Sequence, residues 1–179
     1  MCWPGATVWL TGLPSGGKAT IAYELAERLR AEKRRVEVLD GDEIREFLSA
    51  GLGFSREDRR THVRRIGLMA EVLARNGVLA IVPVIAPFAD CREAVRERHR
   101  AAATTYLEVH VATPVEVRSE RDAKGPYAEQ TAGEVSGPTG VDDPYEEPAS
   151  PDLRIESQSQ TVRESAVALH ALLAERGLA

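Results

Sequence analysis

The chain has little of several residue types, and each shortage excludes a class of protein. Only two cysteines, Cys2 and Cys91, occur among 179 residues. Two are too few for a disulfide framework, and neither has the CxxC or Cys/His spacing of a zinc site. Basic residues do not outnumber acidic ones, since 23 Lys and Arg stand against 28 Asp and Glu, a formal net charge of −5. We therefore expect neither a nucleic acid nor an anionic membrane as a partner.

Long hydrophobic runs are also missing. No apolar stretch approaches the roughly 20 residues that span a bilayer, and the first residues show no basic segment followed by an apolar segment and a cleavage site. We therefore expect a cytoplasmic protein. With 179 residues, 43% of them hydrophobic, the chain suits a single core, so we predict one domain over residues 1–179.

Short apolar segments alternate with segments of helical periodicity. Strands are predicted at 6–10, 36–39, 78–85, 106–111 and 153–156, and helices at 21–29, 43–49, 59–76 and 161–176. This order predicts an α/β fold, a three-layer sandwich with a central parallel sheet and ligands at the carboxyl ends of its strands. Residues 122–150 are rich in Gly, Pro, Glu and Asp and too long for an ordinary connection, so they are predicted to form a lid loop.

Residues 12–18, GLPSGGK, match the phosphate-loop pattern GxxxxGK between the first strand and the first helix. In such a loop, backbone N–H groups and the helix N-terminus bind phosphate oxygens, while Lys18 supplies a cation toward the β- and γ-phosphates. The motif predicts a P-loop NTPase-like fold that binds ATP and Mg²⁺. The predicted nucleotide-binding residues are Gly12, Leu13, Pro14, Ser15, Gly16, Gly17, Lys18, Ala19 and Thr20.

One position departs from the phosphate-loop pattern. The residue after the lysine is normally Ser or Thr, whose hydroxyl binds Mg²⁺, but here it is Ala19, and a hydroxyl follows only at Thr20. Either Thr20 or a water molecule is expected to take the missing ligand position, because Mg²⁺ readily keeps several waters. We expect reduced turnover rather than loss of nucleotide binding.

Two carboxylates, Asp40 and Asp42, follow the second predicted strand and should lie near the phosphate loop. An ionised carboxylate there can take a proton from an acceptor hydroxyl or hold the metal. Alternatively, Asp40 or Asp42 only caps the following helix. The residues alone favour neither interpretation.

Six segments in this order resemble the signature of adenylyl-sulfate kinases over roughly residues 6–173: GLPSGGKAT, LDGDEIR, LGFSREDRRTHVRRI, IAPF, ERDAKGPY and GPTGVDDPYEEP. Members of this family transfer the γ-phosphate of ATP to the 3′-hydroxyl of adenylyl sulfate and release 3′-phosphoadenylyl sulfate and ADP. The resemblance implies this reaction here, a place in sulfate assimilation and a homodimer.

The resemblance also implies residue roles. Asp42 would lie beside the acceptor hydroxyl and Mg²⁺ and form the catalytic pair with Lys18, and Arg121 would contact ATP. The implied acceptor-binding residues are Asp40, Arg45, Phe54, Arg59, His62, Ile85 and Lys124. Guanidinium groups suit the anionic oxygens of such a nucleotide, and an aromatic face suits its adenine. Without the motif order, we would favour a solvated helix face as the explanation of the arginines.

Four positions depart from the family: Glu43 and His62 replace Asn, Ala86 replaces Ser, and Pro138 replaces a Phe of the lid. An ionised Glu only accepts hydrogen bonds and repels an anion unless it is turned away or paired. The lost Phe removes a stacking face worth on the order of 1 kcal/mol. We therefore expect weaker affinity for adenylyl sulfate, and Ala86 excludes a phosphoserine at its position.

Two alternatives remain open because of these departures. One is a kinase of the same fold that acts on another small nucleotide or alcohol. The other is a nucleotide-binding protein whose catalysis is weakened or lost, as Ala19 and Ala86 would suggest.

Overall fold

The structure is a computed structural model and describes residues 2–14, 17–113 and 144–179. Five strands in these ranges form one sheet, in which every neighbouring pair is parallel and the order is β2-β3-β1-β4-β5. The strands are β1 (Ala6–Thr11), β2 (Val36–Val38), β3 (Leu79–Pro83), β4 (Thr105–Ala112) and β5 (Leu153–Glu156). The predicted α/β fold with a central parallel sheet is confirmed.

Helices cover both faces of the sheet. They are α1 (Lys18–Ala31), α2 (Gly41–Phe47), α3 (Arg56–Arg75), α4 (Ala89–Ala101) and α5 (Val162–Glu175). Side chains alternate along a strand, so Val8 and Leu10 of β1 pack in one core with α1 and α5, whereas Trp9 packs in a second core with α3 and α4. These three layers agree with the prediction. None of the described helices is long and apolar enough to cross a membrane.

Helix α4 was not predicted from the sequence. Its buried positions are Cys91, Arg92, Val95 and His99, so half of the inward face is polar and few apolar residues mark the helix in the sequence. The polar members have internal partners: Arg92 donates to the carbonyl of Ala86, and Thr7 of β1 lies 2.7 Å from Nε2 of His99. Hydrogen-bond partners of this kind offset the free-energy cost of burying polar groups.

Strand β3 ends at Pro83, two residues before its predicted end at Ile85. The chain leaves the sheet there, and Ala86 takes a left-handed backbone conformation with φ of 44°. This turn places residues 84–88 at the carboxyl edge of the sheet, beside the end of β1, where Thr11 donates a hydrogen bond to the carbonyl of Ile85 over 2.6 Å.

Candidate functional site

The phosphate loop begins where β1 ends, and glycine is required at two of its positions. A Cβ atom on Gly12 would lie 2.4 Å from the carbonyl oxygen of Val111 in the neighbouring β4, a distance that no side chain tolerates. Gly17 precedes α1 with φ of +84°, a conformation that favours glycine. The loop can therefore turn sharply out of the sheet and direct the N-terminus of α1 toward its carboxyl edge.

Lys18 is the first residue of α1 and is 9% exposed. Its ammonium group donates a hydrogen bond to the carbonyl of Leu13 over 2.8 Å, so the positive charge lies over the phosphate loop. The next residue, Ala19, is half-buried, whereas Thr20 is exposed. Successive residues of an α-helix are rotated by about 100°, so the hydroxyl of Thr20 lies on a different side of α1 from the position that Ala19 occupies.

Asp40 and Asp42 have different surroundings. Asp40 is the N-cap of α2, and its Oδ1 accepts a hydrogen bond from the backbone N–H of Asp42 over 3.0 Å. The capping interpretation therefore holds for Asp40. Asp42 lies in the first turn of α2 with an exposed side chain, and its negative charge acts to raise the pKa of Arg45. Asp42 thus lies close to the first of the predicted acceptor-binding arginines.

Phe54 lies beside two guanidinium groups. The Cζ atom of Arg45 is 4.7 Å from the centre of its ring and that of Arg59 is 6.0 Å away, and 54% of the Phe54 residue is exposed. Arg45 also donates to the carbonyl of Gly53 over 3.1 Å. The structure therefore brings together three side chains that the sequence analysis assigned to the acceptor.

The charges in this cluster favour an anion. Desolvation, followed by the positive charge of Arg59, lowers the pKa of Arg45, and the carboxylates of Asp42 and Asp58 oppose the shift only in part. A further anion, bound beside the two guanidinium groups, would relieve their repulsion. We refer to Arg45, Phe54 and Arg59 as the acceptor cluster.

His62 of α3 is buried next to the acceptor cluster, and its Nδ1 lies 2.8 Å from Oγ of Ser49, which is also buried. Burial, with the charges of Arg45 and Arg65 as further causes, lowers the pKa of His62 to about 4. The ring is therefore neutral near pH 7. His62 is close to the cluster that the resemblance assigns to the acceptor, but its ring is already bonded within the protein.

Three residues that shape the carboxyl edge of the sheet were not predicted from the sequence: Thr11, Tyr145 and Arg92. Tyr145 bonds to the hydroxyl of Thr11 over 2.8 Å, and burial raises the pKa of Tyr145 to about 12, so its hydroxyl stays protonated. Because Thr11 gives its proton to Ile85, Tyr145 is the donor in this pair. Residues 144–150 were assigned to the lid, yet Tyr145 is attached to the core.

Arg92 is the third missed residue. It is 2% exposed and donates to the carbonyls of Ala86 and Glu146, so it joins residues 84–88 to the segment around Tyr145. The carboxylate of Glu146 accepts the N–H of Ala89 over 3.0 Å at the start of α4. One sequence signal was available: Arg92 falls between Cys91 and Val95 on the inward side of a helix, where a charged residue needs internal partners.

A cavity of about 290 Å³ lies beside the phosphate loop at the carboxyl ends of β4 and β5. Its wall is formed in part by Leu13 of the phosphate loop, Ala112 and Thr113 after β4, and Gln158 after β5. Ligands of parallel α/β sheets bind at this edge.

Several predicted residues lie outside the described part of the chain: Ser15, Gly16, Arg121, Lys124 and Pro138. Within residues 2–14, 17–113 and 144–179, no group of three or more His, Cys, Asp or Glu side chains is arranged to hold a metal ion. A single carboxylate, such as that of Asp42, is still compatible with Mg²⁺. This ion is commonly bound through one or two carboxylates together with substrate phosphates and water.

Comparison with known proteins gives one consistent result. The family model described as Adenylylsulphate kinase matches residues 4–156. The chain is 47% identical over 161 residues to a probable adenylyl-sulfate kinase of Synechocystis sp., covering 90% of this chain and 89% of that protein. It is 46% identical to a probable bifunctional SAT/APS kinase 2 of Sorangium cellulosum, where it covers 97% of this chain but only 29% of that protein.

A solved structure agrees with these relatives. The APS kinase CysC of Mycobacterium tuberculosis, solved in complex with AMPPNP and APS, superposes with a TM-score of 0.92 at 40% sequence identity. The match covers 96% of this chain and 98% of that one.

Proposed function

The chain belongs to the adenylyl-sulfate kinase family, and on this basis we propose that it transfers the γ-phosphate of ATP to the 3′-hydroxyl of adenylyl sulfate, with ADP as the second product. The observation that carries the proposal is the acceptor cluster next to Asp42. Two guanidinium groups beside an aromatic ring suit the phosphosulfate and adenine of one nucleotide. Asp42 lies close enough for its negative charge to raise the pKa of Arg45.

ATP is proposed to bind along the phosphate loop, with its base in the 290 Å³ cavity beside Leu13 and Gln158. Lys18 moves its ammonium group from the carbonyl of Leu13 to the β- and γ-phosphates, because a charge-assisted hydrogen bond to an anion is stronger than a bond to a neutral carbonyl. The N-terminus of α1 adds backbone N–H groups and its positive dipole end.

Asp42 is proposed to accept the proton of the 3′-hydroxyl. Its carboxylate is exposed in the first turn of α2, and Asp40 fixes that turn by capping it. A positioned carboxylate base speeds such a transfer by roughly 10²–10⁴-fold. The rest of the acceleration comes from holding the two nucleotides in line.

Mg²⁺ would supply charge neutralisation for the phosphates when it is bound. Asp42 is the proposed protein ligand. Because Thr20 is exposed and turned away from the position of Ala19, we favour a water molecule over Thr20 as the replacement for the missing hydroxyl.

The departure at Glu43 does not argue for a different acceptor. Desolvation and the negative charges of Asp40 and Glu43 raise the pKa of Tyr23 on α1, so the Glu43 carboxylate acts on Tyr23. Arg45 reaches toward Phe54 and Gly53 instead. We therefore prefer adenylyl sulfate to another small acceptor. We further propose, by resemblance to the family, a homodimer in the cytoplasm.

Acceptor-dependent release of ADP tests the proposed function. Purified protein is given ATP and Mg²⁺ with adenylyl sulfate, with AMP, or with no acceptor. We expect rapid ADP release only with adenylyl sulfate, because AMP lacks the sulfate that the guanidinium groups would bind. An equal rate in all three reactions would contradict the proposal and point to simple ATP hydrolysis.

A further inference from the structure

Helix α2 has almost no apolar attachment to the molecule. Its seven residues, Gly41–Phe47, include none that is buried, and only Ile44 packs in part against the core. An isolated helix of this length is unstable in water. The position of Asp42 and Arg45, which α2 carries, therefore depends on polar contacts.

Helix α3 supplies these contacts from two positions one turn apart. His62 lies 2.8 Å from the hydroxyl of Ser49, just beyond the end of α2, and Arg65 donates to the carbonyl of Leu48 over 2.7 Å. His62 and Arg65 thus hold the chain at the C-terminal end of α2.

We propose that His62 is a positioning residue that holds α2, and with it Asp42 and Arg45, against α3 through Ser49. This role differs from direct acceptor binding, which the resemblance implies for this position. The ring is 5% exposed and Ser49 is 1% exposed, so Nδ1 is occupied by a partner within the protein. The expected effect on catalysis rests on the proposed function, whereas the attachment of α2 does not.

The test compares three variants: Ser49→Ala, His62→Ala and the double variant. Loss of one buried hydrogen bond is expected to lower kcat/KM for adenylyl sulfate about fivefold or more. Because both single variants break the same contact, the double variant should lose no more than the more severe single one. The KM for ATP should stay within about twofold of the wild type.

Hydrogen exchange of the backbone amides of residues 41–49 gives a second readout that does not need activity. All three variants should speed this exchange, because α2 loses an attachment. His170→Ala is the matched control, since this histidine lies on α5 and bonds to Glu32 over 2.7 Å; exchange in α2 should stay as in the wild type.

If Ser49→Ala leaves both exchange and kinetics unchanged while His62→Ala raises the KM for adenylyl sulfate, His62 binds the acceptor directly and the proposal is wrong. If the protein does not phosphorylate adenylyl sulfate at all, the exchange measurement still decides whether His62 holds α2. Failure of the proposed function and failure of this inference are therefore distinguishable.

Discussion

Helix α1, which follows the phosphate loop, and helix α2, which carries Asp42, differ in how they are attached to the molecule. Helix α1 has 14 residues and buries Ile21, Leu25 and Leu29 in the core that it shares with α5. Helix α2 has seven residues and buries none of them. Apolar packing holds α1, the proposed nucleotide region, in place, whereas polar contacts hold α2, part of the proposed acceptor region.

Two of the departures from the family follow this difference, whereas those at Ala86 and Pro138 lie elsewhere in the sequence. In the phosphate loop and the following α1, only Ala19 differs from the expected pattern, but Glu43 and His62 both lie in or against α2. A region held by a few hydrogen bonds can exchange one polar side chain for another without loss of the core. We expect such changes to affect the acceptor more than ATP.

The largest expected effect is that of Asp42→Asn. Removing the proposed base should lower kcat by about 10²–10⁴-fold, while the affinity for ATP changes little. Single-turnover kinetics and ATP titration would measure the two quantities. Glu46→Gln is the matched control, because Glu46 is another exposed acid of α2. Turnover of Asp42→Asn near that of the control would remove Asp42 from the mechanism.

Low pH should lower the free energy of unfolding through protonation of His62. Its pKa is about 4 in the folded protein against the ordinary 6.5, so its contribution to stability is present above pH 6.5 and is lost as the pH falls toward 4. The loss is at most about 3 kcal/mol. Urea unfolding at pH 7 and pH 4.5 should show a wild-type advantage over His62→Asn that shrinks at the lower pH. An advantage that is equal at both pH values would contradict the shift.

Lys18→Ala should act on the nucleotide region alone. We expect ATP to bind about 10–100-fold more weakly, because a charge-assisted contact to the phosphates is lost. Calorimetry would measure this change, with Arg35→Ala as an exposed cation control. Unchanged ATP affinity would show that the ammonium group does not reach the phosphates.

Phe54→Ala should raise the KM for adenylyl sulfate about five- to tenfold by removing a stacking face. The KM for ATP should not change. Phe47→Ala is the control, since Phe47 of α2 is also aromatic and is more exposed than Phe54. The exposed fraction is 73% for Phe47 and 54% for Phe54. Similar effects of the two substitutions would indicate a general disturbance of α2 rather than loss of stacking.

The smallest expected effect is that of Ala19→Thr, which restores a hydroxyl beside Lys18. It should lower the Mg²⁺ concentration required for half-maximal turnover, because a fixed ligand replaces a water. Ala19→Val has nearly the same shape without the hydroxyl and should not have this effect. Identical Mg²⁺ titrations of the two variants would show that the position does not contact the ion.

Much of the fold could be predicted because its strands are short apolar runs with both faces covered, as at Val78–Ile85. Helix α4 could not, because Arg92 and His99 take inward positions that apolar residues usually occupy. Two of their partners lie far away in the sequence, at Thr7 and Glu146, and no local pattern indicates such contacts.

For the site, the motif order indicated Arg45, Phe54 and Arg59, and the structure brings these residues together. The motif order did not indicate that His62 bonds to Ser49. Asn and His can both be polar ligands of a substrate, and only the geometry distinguishes a substrate ligand from a residue that bonds within the protein. The role of Asp40 as a helix cap was one of two open alternatives, and a single backbone hydrogen bond decides in its favour.

The most direct test of the central claim is to follow the γ-phosphate itself. Wild-type protein is incubated with Mg²⁺, adenylyl sulfate and ATP labelled at the γ-phosphate, and the products are separated and their structures determined. The account predicts one labelled phosphate on the 3′-oxygen of adenylyl sulfate for each ADP released. Label recovered only as inorganic phosphate, at a rate that adenylyl sulfate does not change, would contradict it.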